Sequence, residues 1–431
     1  MNGAVRERLL AGAPRMAFLH GRLIDGLGHP PVEDGYVLVG EGRITAVGPM
    51  SAYAPPRDDV PETVDVEGRT ILPGLIDCHA HLVYTGFKSL EDVDRCPVET
   101  AAINAVLNAE AVLRAGYTTI RDVGTIGNVA VAVRDAIAQG KIRGPRVIAS
   151  GRIIGPTSGM VDTLPSHWET CCGLGTIVDG PHEMVRAIRR QIKDGVDNVK
   201  LGASGVEVGP HAYTWMTTLG EEEIRAAVSE AHRWGRTVAI HCQSYDAAKF
   251  ALRAGADTIE HGTRLDDEAI DLFRRSRTVL VPTLSTLFSV LELGERLDLL
   301  PKHREEMAVN RPLWLDSVRR AREAGVPIAA GGDIGHRFPH GANARELQYL
   351  VEAGLTPLEA IQAATGTAAL ALRKEASLGA LSPGKVADLV VLDGDPLADI
   401  RLLQDRARIR IVLQGGRLVA GALAGPAARG A

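Results

Sequence analysis

The sequence has 431 residues, 45% hydrophobic and 23% charged, and 48 Lys+Arg against 53 Asp+Glu leave a net charge of −5. That balance offers no basic surface for nucleic acid, and 4% aromatic residues offer no base-stacking platform. No apolar run reaches the ~20 residues that span a bilayer, so neither nucleic acid nor a membrane is expected as a partner.

Residues 1–14 carry Arg6, Glu7 and Arg8 before a short Leu-Leu-Ala-Gly-Ala run, too short for a secretory leader. Residues 17–24 read as a strand, and 35–48 as a hairpin turning at Gly40-Glu41-Gly42. Eight strand-like runs follow, at 71–81, 117–123, 146–150, 198–203, 237–242, 258–261, 279–283 and 327–333. Helical periodicity fills the spaces between them, for example over 221–234 and 308–324. Strand character returns at 387–392, 409–413 and 418–419, and 421–431 reads as a frayed tail. Eight β-then-α units predict an α/β protein built on a (β/α)8 barrel. A doubly wound sheet would carry a Gly-rich phosphate loop, and none occurs. The two strand-rich ends are each too short for a core alone and are expected to pair into one small β-sandwich domain. The expected division is 1–73 and 373–431 for that domain and 74–372 for the barrel. The five cysteines (Cys78, Cys96, Cys171, Cys172 and Cys242) show no zinc-type Cys-X-X-Cys spacing, which fits free thiols in the cytoplasm.

Barrel enzymes place their chemistry at the C-terminal ends of the strands. Those ends carry His79 and His81, Lys200, His241, His261 and Asp333. Residues i and i+2 of a strand share a face, so His79 and His81 can reach one ion. Imidazole and carboxylate suit zinc or a similar divalent metal. A lone His-X-His is a weak signal, and single strand-end histidines are often core residues. Lys200 is harder to dismiss, because an unpaired ammonium in an apolar strand is costly to bury.

Several segments carry a resemblance that spans about residues 16–418. They are Leu-Pro-Gly-Leu-Ile-Asp-Cys-His-Ala-His (72–81), Gly-Tyr-Thr-Thr-Ile-Arg-Asp (116–122), Val-Lys-Leu (199–201), Ile-His-Cys (240–242), Ile-Glu-His-Gly (259–262) and Ala-Gly-Gly-Asp (330–333). Pro-Gly-Lys-Val-Ala-Asp-Leu-Val-Val-Leu-Asp (383–393) completes the set. Together they resemble the amidohydrolase superfamily, in the branch of imidazolonepropionase-like and Xaa-Pro dipeptidase-like enzymes. The resemblance implies that His79, His81 and Asp333 bind one metal and that His241 and His261 bind a second. It also implies that Lys200 bridges the two as a carbamate formed with CO2. Two divalent ions, with zinc the expected metal, would then activate a bridging hydroxide, and Asp333 would serve as general base and acid. Single-metal relatives generally lack this lysine, so the resemblance favours a binuclear hydrolase of a small amide, such as a dipeptide or N-acyl amino acid. A carbamate, urea or cyclic amide is the alternative substrate, and a mononuclear deaminase or imidazolonepropionase-type enzyme the alternative activity. An inactive scaffold is disfavoured by the complete ligand set.

Weaker candidates for substrate contact are Tyr213, in the long loop after the fourth strand, and His340, in a Pro-His-Gly segment. His336 precedes His340 in the same segment. Peptidase-like relatives often carry Gly-Gly-His after the third strand; here residues 155–162 read Gly-Pro-Thr-Ser-Gly-Met-Val-Asp, with His167 further along as a substitute. A small-molecule substrate is the expected partner, and a homo-oligomer is compatible with the sequence.

Overall fold

The computed structural model describes residues 14–55, 61–87, 89–168, 172–207, 211–293, 301–335 and 337–422. The leader and tail expectations fall essentially outside these residues, as do Cys171 and His336. Near the N-terminus, β1 (Met16–Leu23), β2 (Val32–Gly40) and β3 (Arg43–Pro49) pair antiparallel in sequence. The β2–β3 link is the two-residue turn expected there. Glu41 (φ 52°) and Gly42 (φ 72°) both take the left-handed backbone that a tight hairpin requires. Short strands β4 (Glu62–Asp65) and β5 (Thr70–Pro73) run parallel to β1.

The parallel strands come next. β6 (Leu75–Ala80), β7 (Tyr117–Asp122) and β8 (Arg146–Ala149) form a three-stranded sheet. β9 (Ile153–Gly155), β10 (Gly175–Ile177), β11 (Asn198–Gly202), β12 (Thr237–Cys242), β13 (Thr258–His261) and β14 (Val279–Val281) form a six-stranded sheet ordered β10-β9-β11-β12-β13-β14. Every residue of β6, β7, β11, β12 and β13 is buried, as befits parallel strands covered on both faces. Single bridges extend the pairing: Ser150 to Asn198, Leu280 to Ile328, and Ile334 to Ala80. The course therefore runs from β6 to β14 and, through 328–334, back to β6. That course is consistent with the expected barrel.

Finally β15 (Leu389–Leu392), β16 (Ile409–Gln414) and β17 (Arg417–Gly421) join the N-terminal strands in one eight-stranded sheet, β15 lying antiparallel to β5. The whole is a mixed α/β fold. Among the described residues, no helix is long and apolar enough to cross a membrane.

Three local readings differ from expectation. The first apolar run, 71–81, is two strands in two different sheets, because the chain switches sheets at Gly74. β9 and β10 have three residues each, too few to show a period in the sequence. The last run, 327–333, contributes single bridges rather than a ladder.

Gly74 is the joint between the sheets. Its N–H donates to the Asp388 carbonyl at 2.9 Å, and an added Cβ would lie 2.3 Å from Thr118 Oγ1. Asp388 also accepts from Arg146 Nη1 at 2.8 Å, tying β8 to the terminal sheet. Gly74→Ala is expected to cost about 1–3 kcal/mol through overpacking, read as a lowered urea midpoint at constant slope. An unchanged midpoint would show that this joint has slack.

Candidate metal centre

The strand ends and the loops after them converge on one cleft, lined by His79, His81, Lys200, His241, His261 and Asp333. His79 lies within β6, and its N–H donates to Asp77 Oδ1 at 2.9 Å. Asp77 also accepts from Gly332 N at 3.0 Å and from Asn343 Nδ2 at 2.6 Å, so one buried carboxylate fixes β6 against the 331–333 segment. Close approach there needs Gly331, where a Cβ would stand 2.7 Å from His79 Cβ. Asp333 N then donates to the His79 carbonyl at 2.8 Å. His261 (φ 69°), Thr283 (φ 53°) and Asp333 (φ 46°) hold left-handed backbone, a strain that clusters at functional sites.

Each imidazole has one nitrogen committed to an acceptor. His79 Nδ1 donates to Glu260 Oε2 at 2.7 Å, and His81 Nδ1 to the Gly124 carbonyl at 2.9 Å. His241 Nε2 donates to the Gly205 carbonyl at 2.9 Å. His261 Nδ1 donates to Thr283 Oγ1 at 2.6 Å, since that hydroxyl spends its own proton on the Pro282 carbonyl. The opposite nitrogens, Nε2 of His79, His81 and His261 and Nδ1 of His241, are left with lone pairs. His79, His81 and Asp333 offer ligand atoms within 4.8 Å of one another. Asp333 Oδ1 lies 3.4 Å from His81 Nε2 and 3.7 Å from His79 Nε2, while Oδ2 accepts from Thr286 Oγ1 at 2.9 Å.

Burial pulls His81 and His241 down to about 3 and lowers His79 and His261 too, so all four rings are neutral near pH 7. Burial acts to raise Asp333, but the net shift is downward; with the rings neutral, the Thr286 bond and the Lys200 ammonium are the causes that still act on it. Lys200 is 1% exposed, its Nζ has no hydrogen-bond partner among the described residues, and burial brings its ammonium down to about 8. Neutral imidazoles with free lone pairs, an ionised carboxylate and an orphaned lysine nitrogen are donors that fit divalent ions once the lysine is made anionic.

Behind the ligands lies a pair that sequence reading passed over. Arg121 on β7 and Glu260 on β13 are fully buried and 2.8 Å apart. Arg121 also donates to the Cys78 carbonyl (2.7 Å) and to Thr258 Oγ1 (2.9 Å). Burial acts to raise Glu260, but Arg121, the His79 bond and Lys200 hold it down to about 2. The signal was present: both are charges inside apolar strands, as Lys200 is. Glu207 and Arg337 also line the cleft and were likewise missed.

Tyr213, His340 and His167 are not among the described cleft residues. Tyr213 is 43% exposed and stacks on Trp215; His167 is exposed and meets Trp168 edge-on. His340 is buried, with Nε2 donating to the Tyr84 carbonyl at 3.1 Å. Cys78 and Cys242 pack into the core.

Residues 70–419 match the Amidohydrolase family. The chain belongs to that family. Ochratoxinase from Aspergillus niger is 31% identical to this amidohydrolase over 431 aligned positions, covering 94% of this chain and 87% of that enzyme. Imidazolonepropionase from Streptomyces coelicolor is 26% identical, covering 84% and 86%. The crystal structure of a Xaa-Pro dipeptidase with bound methionine in the active site superposes with a TM-score of 0.84 at 33% identity, covering 94% of this chain and 99% of that one. This amidohydrolase is a hydrolase acting on carbon–nitrogen bonds.

Arg121→Met leaves Glu260 charged and unpaired, and is expected to cost about 3–5 kcal/mol in urea unfolding. Adding Glu260→Leu should recover most of that loss; no recovery would mean the pair acts through shape rather than charge. A second test concerns Glu346, whose carboxylate accepts from Leu284 N (2.9 Å) and Ser285 N (2.7 Å) beside the cleft. Burial, only partly offset by these bonds, raises it from its usual 4.5 to about 8. A raised carboxyl contributes stability below its unfolded value that is lost as pH rises through its folded one. The stability of wild type minus Glu346→Gln should therefore fall between about pH 4.5 and pH 8, and a difference flat across that window contradicts the assignment.

Proposed function

We propose that this amidohydrolase is a binuclear metal-dependent enzyme that cleaves the C–N bond of a small amide, such as a dipeptide or an N-acyl amino acid. The observation that carries the reading is Lys200, buried among four neutral imidazoles with its Nζ unpartnered among the described residues. CO2 adding to the neutral amine, with loss of one proton, converts an unsatisfied nitrogen into a carbamate whose two oxygens share one negative charge. That supplies the charge two divalent ions need. His79, His81 and Asp333 would hold one ion and His241 and His261 the other, with Lys200 contributing to both. When bound, ions such as zinc supply Lewis acidity, lowering the pKa of water and polarising a carbonyl.

Asp333 does the proton transfer. Its Thr286 bond fixes Oδ2, and the carboxylate is ionised and so has a lone pair with which to accept. It takes a proton from the water that attacks the carbonyl carbon and gives it to the nitrogen as the C–N bond breaks. The products are a carboxylate and an amine. The pairing that runs from β6 round to 328–334 and back supports reading 74–372 as a (β/α)8 barrel. The sheet shared by the strands of both ends supports taking 1–73 and 373–431 as one domain, here proposed as a β-sandwich.

A carbamate, urea or cyclic amide would be cleaved by the same chemistry. A single-ion enzyme of the deaminase or imidazolonepropionase type is favoured by one observation, the tight His79–His81–Asp333 group.

Protein grown with added zinc is expected to carry two equivalents, falling to one or fewer in Lys200→Ala. Asp333→Asn should lower amide hydrolysis by about 10²–10⁴-fold while leaving the fold intact. One equivalent of metal, unchanged in Lys200→Ala, overturns the carbamate reading.

A further inference from the structure

The cleft also contains a guanidinium. Arg337 lies four residues after Asp333, and its side chain is 6% exposed and lines the same cavity. Its Nη1 donates to the Thr286 carbonyl at 3.2 Å, and Thr286 Oγ1 donates to Asp333 Oδ2 at 2.9 Å. The guanidinium thus stands one residue away from the group assigned the proton transfer.

Its other edge is unsaturated. Nε is buried with no hydrogen-bond partner among the described residues. Nη2 faces Glu207 Oε1 at 3.5 Å, longer than the roughly 2.7–2.9 Å of a charge-assisted N–H···O bond. Glu207 is shared with a neighbour, its Oε2 accepting from Gln243 Nε2 at 3.3 Å. Glu207 therefore meets Nη2 only at long range, while Nε has no hydrogen-bond partner among the described residues. Nε–H and Nη2–H point the same way and match the two oxygens of a carboxylate. Neighbouring lining residues are apolar: Leu90, Ile153, Met160, Val206 and Phe338.

We infer that Arg337 is a specificity-determining residue: its Nε/Nη2 edge takes the free carboxylate of an acylated amino acid whose side chain is apolar. Lysine is no equivalent here, since a point charge lacks the fork. This assignment rests on the amide-hydrolase reading, and it favours dipeptides and N-acyl amino acids over a carbamate, urea or cyclic amide that lacks such a carboxylate.

The test compares N-acetyl-L-leucine with N-acetyl-L-leucinamide on the metal-loaded full chain, following acetate release. Wild type should favour the acid by roughly 10- to 100-fold in kcat/KM, mostly through KM, as expected for a charged hydrogen-bonding pair. Arg337→Met should erase that preference, slowing the acid far more than the leucinamide. Arg337→Lys should restore part of it, and it carries the comparison if the methionine variant does not fold. Equal rates on both compounds in wild type, or an equal slowing of both in Arg337→Met, overturns the inference but leaves amide hydrolysis standing. Calorimetric binding of L-leucine against L-leucinamide supplies a readout that needs no turnover. Arg337-dependent preference for L-leucine without hydrolysis of either acetyl compound supports the carboxylate site and counts against the amide reading. No preference for L-leucine in wild type overturns the carboxylate site.

Discussion

A buried arginine–carboxylate pair organises the centre of this molecule. Arg121 and Glu260 stand on β7 and β13, outside contact with solvent, and Glu260 reaches on to His79 of β6. One charge pair thereby sets the relation of three strands and the tautomer of His79. Interior ion pairs are poor sources of net stability, because desolvation consumes most of the attraction. What this one contributes is definition. Glu260 remains an anion, so His79 Nδ1 must donate and Nε2 must keep its lone pair. The same logic repeats with neutral acceptors at Gly124, Gly205 and Thr283.

A hard constraint of space works alongside that charge. The 331–333 segment reaches β6 only because residue 331 has no side chain, and Asp77 then locks the two together. The left-handed backbone at His261, Thr283 and Asp333 indicates that the strand ends are bent to aim their groups into the cleft. Ser285 and Thr286 are fixed from outside, where Glu346 holds the start of the helix Leu284–Leu293. Thr286 passes that fixity to both Asp333 and Arg337.

Much of this was legible in the sequence, for identifiable reasons. Strands buried on both faces are continuous apolar runs, so the polar residues that end them stand out; His79, His81, Lys200, His241, His261 and Asp333 all line one cleft. Continuity misled at Gly74, where two strands of different sheets share one apolar run. Three-residue strands left no period to detect. Arg121 and Glu260 were visible as charges in apolar strands but were read only as letters of a motif. Arg337 carried no such signal, because its meaning comes from Thr286, Glu207 and the cavity wall rather than from its neighbours in sequence. Tyr213 and His167 show the converse: loop position alone does not say which way a side chain turns.

The pairing of β5 with β15 has a consequence for how the chain is made. These strands lie side by side in one sheet, yet Leu389 follows Pro73 by roughly 300 residues, and at about 5–20 residues per second translation takes on the order of 15–60 s to cover that stretch. Until then β5 has an open edge, and the segment between must reach a form that leaves that edge accessible. Loop-closure entropy for so long a span rises only logarithmically, so the delay is a matter of timing more than of free energy. During that interval the nascent chain exposes an unpaired strand that a chaperone or another nascent copy can bind.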